Sequence, residues 1–135
     1  MSTMPFATQL TTLSRAARLR LALKLDAIVT GLNGAAYLVA AGPLGDLLGL
    51  ESGLLRALGA FLLAFAVAVW AIATRPTRGG VAFVIEANVA WVLGSLAAAA
   101  FGWSSPETVG TIWIVLQAAV VALFAALQFV TRPRD

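Results

Sequence analysis

Residues 108–130 read TVGTIWIVLQAAVVALFAALQFV. The run contains no charged residue and no proline. Its apolar side chains are continuous. A barrel strand would alternate every second residue, and a helix at a soluble surface would carry a broad polar face. At 1.5 Å per residue the run spans about 35 Å, enough to cross about 30 Å of hydrocarbon. In hydrocarbon each backbone N–H and C=O must be paired inside the segment, which selects a helix. Three further stretches read alike, at residues 21–41, 54–73 and 81–101.

The rest of the chain supports that reading. Of 135 residues, 61% are hydrophobic and 11% charged, against about 25% charged in a soluble domain. Mean hydropathy is +0.94. A soluble fold of this length could not cover so much apolar surface, and the same composition excludes disorder for the bulk of the chain. The expected fold is an all-α membrane protein, one four-transmembrane-helix bundle over residues 1–135. Gly42-Pro43 is read as closing the first span, Thr74-Arg75-Pro76 the second, and Ser105-Pro106-Glu107 as opening the fourth, with a serine cap, a first-turn proline and an acid at the positive helix end.

Charge sets the expected direction. Arg15, Arg18, Arg20, Lys24, Arg75, Arg78, Arg132 and Arg134 fall on one side, and Arg56 alone falls on the other with Asp46, Glu51 and Glu107. The positive-inside rule places both termini and the middle loop in the cytoplasm. The net charge of +3 therefore marks topology and anionic lipid heads, and no nucleic-acid partner is expected. Residues 10–24 interleave Leu10, Leu13, Leu19 and Leu21 with arginines. They suit either an amphipathic surface helix or a plain extension of the first span. The outer loop with Leu44, Leu47, Leu48 and Leu50 is too apolar for water and is expected to lie on the membrane or cap the bundle. Ala40-Ala41-Gly42 resembles a signal-peptide cleavage site. Asp26 and Asn33 interrupt the preceding run, so the span is expected to be retained. No lipidation signal is read: Ser2 replaces the glycine that myristoylation requires, and there is no cysteine to acylate or prenylate.

The two halves look related. Leu25-Asp26-Ala27 aligns with Ile85-Glu86-Ala87, and Val29 and Gly34 with Val89 and Gly94. After a three-residue gap, Gly53 and Ala68 meet Gly110 and Ala125, and Thr74-Arg75-Pro76 meets Thr131-Arg132-Pro133. The expected unit is a helical hairpin used twice in tandem, with Asp26 and Glu86 at matching depth.

Polar residues inside spans are the candidate sites. Asp26, Thr30, Asn33 and Tyr37 lie at i, i+4, i+7 and i+11, a stripe roughly 60° wide. Glu86 lies about 7.5 Å beyond Val81, with Arg75, Arg78 or Lys24 as expected partners. Gln117 and Gln128 share a face of the last span. A cytoplasm-facing cavity formed by Asp26, Thr30, Asn33, Glu86, Gln117 and Gln128 is one reading, and hydrogen-bonded glue between helices is the other. Asn88 lies about 200° from Glu86 with Ser95 on its own stripe, so these two are expected at an interface. Trp70, Trp91, Trp103 and Trp113 are read as membrane-interface or packing residues, and Gly31, Gly34 and Gly59 as close-packing contacts.

The stretch Leu25-Asp26-Ala27-Ile28-Val29-Thr30-Gly31-Leu32-Asn33-Gly34, with Gly42-Pro43-Leu44 and Leu47-Leu48-Gly49-Leu50, resembles small uncharacterised four-span integral membrane proteins of high-GC bacteria. More distantly the chain is similar to DoxX-like four-helix membrane proteins. The resemblance implies a bacterial inner membrane and carries no activity to any residue. Small multidrug transporters also place an acid in the first of four spans, but the strong charge bias departs from their dual topology.

With no cysteine or histidine, no thiolate nucleophile, imidazole base or metal cluster is expected, and no cofactor. Acid–base chemistry would rest on Asp26 and Glu86 alone, so no enzyme is expected. The favoured expectation is a membrane subunit, accessory to another membrane protein or self-associating. The alternative is a small-molecule or proton-coupled transporter or binder built on the acidic cavity.

Overall fold

The computed structural model describes residues 14–102 and 108–133. The predicted helix start at Ser105-Pro106-Glu107, and Leu10, Leu13 and Trp103, lie outside the described residues. Among the described residues five helices follow one another: α1 (Arg15–Val39), α2 (Ala41–Leu48), α3 (Ser52–Thr74), α4 (Arg78–Phe101) and α5 (Thr108–Thr131). All but α2 are long and apolar enough to cross a membrane. The chain is a small multi-pass membrane protein folded as a four-helix bundle. Its outer surface carries Leu32, Val67, Leu93, Leu116 and Leu123, all exposed. Such a surface is stable out of water, against lipid tails or another apolar surface.

Capping explains the helix ends. Ser14 Oγ accepts from Ala17 N and Thr77 Oγ1 accepts from Gly80 N, each at 3.0 Å, closing the starts of α1 and α4. α2 and α4 end on Gly49 and Gly102, with φ of 71° and 64°, a left-handed conformation that glycine adopts without a Cβ clash. α1 runs unbroken from Arg15, so its described basic segment extends the span. It stops at Val39, two residues before the end read from sequence. Gly42-Pro43 does not close it but sits in the first turn of α2, where the missing proline N–H removes no helical bond. Leu50 N donates to Gly45 O at 2.9 Å and turns the chain into α3. The apolar outer loop is therefore a short helix packed across the bundle, with Ala41, Gly45 and Leu48 buried.

The packing follows the two hairpins. α1 packs most extensively on α3, and α4 on α5. Gly34 and Gly59 set the first contact. A Cβ at Gly34 would lie 2.8 Å from Gly59 O, and one at Gly59 would lie 2.7 Å from Gly34 O. The two backbones therefore touch, as small residues allow between membrane helices. The α3–α4 seam is built the opposite way. Phe61 stacks on Trp91 with centroids 6.3 Å apart, and Phe65 tilts against Phe83 at 6.1 Å. Rings of that size hold the backbones apart and fill the gap.

Leu19, Leu23, Ala27, Val69, Ala73, Val81 and Val84 form the core at the end with the described basic residues. Tyr37, Ala41, Leu55 and Leu62 form the core at the other end. Cations also close the basic end. Arg15 Nη2 donates to Val130 O at 3.0 Å, opposite the partial negative charge of the α5 terminus. Lys24 Nζ lies 5.6 Å from the Trp70 ring centroid, a cation–π contact.

The repeat holds in the hairpins and at their ends. Thr74 Oγ1 donates to Ala71 O and Thr131 Oγ1 to Leu127 O, both at 2.6 Å. It fails in the middle. Asp26 is buried and its counterpart Glu86 is exposed. Gly34 touches backbone, whereas a Cβ at Gly94 would meet nothing within 4 Å.

Candidate functional site

The stripe on α1 divides between two knots of hydrogen bonds. Asp26, 0% exposed, anchors the first. Its Oδ2 accepts from Asn88 Nδ2 and from Gln128 Nε2, each at 2.8 Å. Its Oδ1 accepts from Thr30 Oγ1 at 3.0 Å. Asn88 Nδ2 also donates to Gln128 Oε1 at 3.0 Å. One carboxyl and two amides thus close a ring that joins α1, α4 and α5. Gln128 is 0% exposed and Asn88 4%. Three donors converge on two carboxyl oxygens, the arrangement a buried acid requires where no cation faces it.

The second knot lies eleven residues further along α1, about 16 Å of helix rise. Trp113 Nε1 donates to Tyr37 Oη at 2.8 Å, and Tyr37 Oη donates to Gln117 Oε1 at 3.2 Å. It ties α1 to α5. Tyr37→Phe removes both bonds and is expected to cost about 1–3 kcal/mol, at roughly 0.6–1.7 per bond. Thermal unfolding in detergent measures this, and an unchanged midpoint would show that the knot is not what joins the two helices.

The residues proposed from sequence fall as follows. Asp26, Thr30 and Gln128 come together at the first knot. Gln117 stands at the second. Asn33 is half-buried and lines a separate cavity. Glu86 joins none of these. It is exposed on the outside of α4, and no described residue makes an ion pair with it; Lys24, one expected partner, lies over Trp70. Asn88 was expected at an interface and is instead at the centre. Ser95, on its stripe, is half-buried on the same inward side. The 200° between Glu86 and Asn88 was read correctly, but the acid turns out and the amide turns in. Sequence reasoning also missed Trp113 as a bonding partner. Its position four residues before Gln117, on one face of the helix, was the available signal.

The cavity, of about 370 Å³, lies between α1, α2 and α5. A second, shallower hollow of about 300 Å³ lies between α1 and α3 beside Ala27, Gly31 and Trp70. Neither is lined by Asp26, Glu86 or Gln128. Asp26 thus has every oxygen engaged and lines neither space, so the geometry of the first knot is that of a lock between helices. Comparison with known proteins finds no matching family model, no similar curated protein and no similar solved structure.

Proposed function

We propose that the protein is a non-catalytic accessory subunit of a bacterial inner membrane, with both termini cytoplasmic, that binds another membrane protein through the outer face of α4. One observation carries this reading: Glu86 is exposed on the outside of the bundle, in a helix long and apolar enough to cross a membrane. A charged side chain facing lipid costs roughly 2.5–3.5 kcal/mol at a helix centre, and part of that about 7.5 Å inside the span. A neighbouring helix that donates hydrogen bonds or a positive charge at that depth removes the cost. Ala82, Ala90 and Gly94 around it are small and exposed, so a second helix can approach closely.

Charge decides between the two kinds of partner. Two copies meeting symmetrically on this face would set Glu86 against Glu86, which repels. Lys24, an exposed cation near that depth, already lies over the Trp70 ring, so a different protein is the better match. A catalytic role has weaker support, because Asp26 and Glu86 face opposite ways and share no substrate position.

The test places a photo-crosslinking residue at Leu93, two turns from Glu86 on the same face, and at Val67 on α3 as a control, in the native membrane. The expected result is one distinct polypeptide at fixed stoichiometry from Leu93 only. That adduct should fall at least tenfold with Glu86→Leu and persist with Glu86→Gln, since the amide still bonds (10-fold corresponds to about 1.4 kcal/mol). Adducts only to the chain itself would replace the proposal by self-association, and adducts indifferent to Glu86 would overturn it.

A further inference from the structure

Asn33 is the one member of the α1 stripe that takes part in neither knot. Its amide carries two donors and an acceptor, and it makes no side-chain hydrogen bond to a described residue. It lies in the wall of the 370 Å³ cavity, within the range of ligand pockets. Leu44, Leu47 and Leu48 of α2 and Ile112 and Leu116 of α5 supply the apolar remainder. Tyr37, also in the wall, already has its hydroxyl engaged as donor and acceptor. Asn33 is thus the polar group with bonding capacity left, in a space otherwise suited to hydrocarbon.

Depth narrows the occupant. Asn33 is about 9 Å of helix rise from the end of α1 at Val39 and about 13.5 Å from Lys24, so it sits well inside the span. A phospholipid head stays at the membrane surface and cannot reach it, and an acyl tail has nothing to bond with. Among the described residues the cavity wall carries no charged side chain to match an ionic head. An amide left unpaired in hydrocarbon is costly, and a neutral group that both donates and accepts would satisfy it.

From this we propose that the cavity binds a neutral single-chain lipophile whose hydroxyl or un-ionised carboxyl end is held by the Asn33 amide. The site is separate from the outer face of α4 and does not depend on that contact. α2 forms its roof, so occupancy also braces the short helix against α1 and α5.

Two photoreactive probes test it on the full chain in phospholipid vesicles: diazirine-bearing hexadecanol and diazirine-bearing hexadecane. They share the chain and differ in the hydroxyl. The expected result is labelling of the peptide holding Ile112 and Leu116 at least tenfold stronger with the alcohol. Asn33→Leu should remove that excess and leave the hydrocarbon signal. Ala36→Phe, which fills the space from the cavity wall, should remove both signals, and it decides the matter if Asn33→Leu does not fold. Equal labelling by the two probes would mean that the space holds ordinary lipid tails and would overturn the proposal. So would an alcohol excess that survives Asn33→Leu or Ala36→Phe.

Discussion

Asp26→Leu is expected to destabilise the bundle by roughly 2–5 kcal/mol, from three interhelical or intrahelical bonds of about 0.6–1.7 kcal/mol each. The leucine fills the space but leaves the amides of Asn88 and Gln128 without their shared acceptor. Asp26→Asn should behave differently. Its carbonyl oxygen can take the place of Oδ2 and accept from both amides, while its NH₂ faces Thr30, whose hydroxyl turns from donor to acceptor. The expected change is below about 1 kcal/mol. Unfolding by a denaturing detergent, followed by circular dichroism, measures both. A loss for Asp26→Asn as large as that for Asp26→Leu would show that the ring depends on the carboxyl itself and not on its shape and acceptors.

The second large effect is expected where α1 and α3 touch. Gly34→Ala and Gly59→Ala each place a methyl within 3 Å of opposing backbone oxygen, and overpacking of this kind costs about 1–3 kcal/mol. The double variant should cost clearly less than the two losses added, because the separation forced by one methyl makes room for the other. Gly94→Ala serves as the control, since a Cβ there meets nothing within 4 Å. Alanine is the better helix former by roughly 0.5–1 kcal/mol, so it should be neutral or mildly stabilising. Strict additivity of the Gly34 and Gly59 losses would rule out direct backbone contact.

How much of this was legible from the sequence depends on what lipid hides. The four spans could be read because hydrocarbon demands long uncharged runs, and the run at residues 108–130 leaves no other choice. The polar stripe of α1 could be read because helical spacing is local. Which side of α4 turns inward could not. In water, Val81 and Val84 would mark the core side next to Asn88. In a membrane an outward valine is just as comfortable, so only the polar groups inform. α4 has Glu86 on one face and Asn88 with Ser95 on the other, and the choice between them depends on a carboxyl 62 residues from Asn88. Glycine packing shows the same limit. Gly34 was recognisable as a contact residue, but nothing in the sequence names Gly59 O as the atom it meets. α2 was hidden for a different reason: Gly42-Pro43 is a common stop signal, and here it sits inside a new helix.

The ring around Asp26 also imposes an order in time. Its last donor, Gln128, is made 102 residues after the acid it serves. At synthesis rates of about 5–20 residues per second the interval is roughly 5–20 s. Thr30 follows the acid at once and Asn88 comes 62 residues later, so throughout that interval the carboxyl lacks its full set of donors. The ring cannot close until α5 has been made. Quality control of this protein therefore falls on α5: a chain cut just before Gln128 lacks only Phe129 and Val130 among its hydrophobic residues, yet leaves the ring around the acid open.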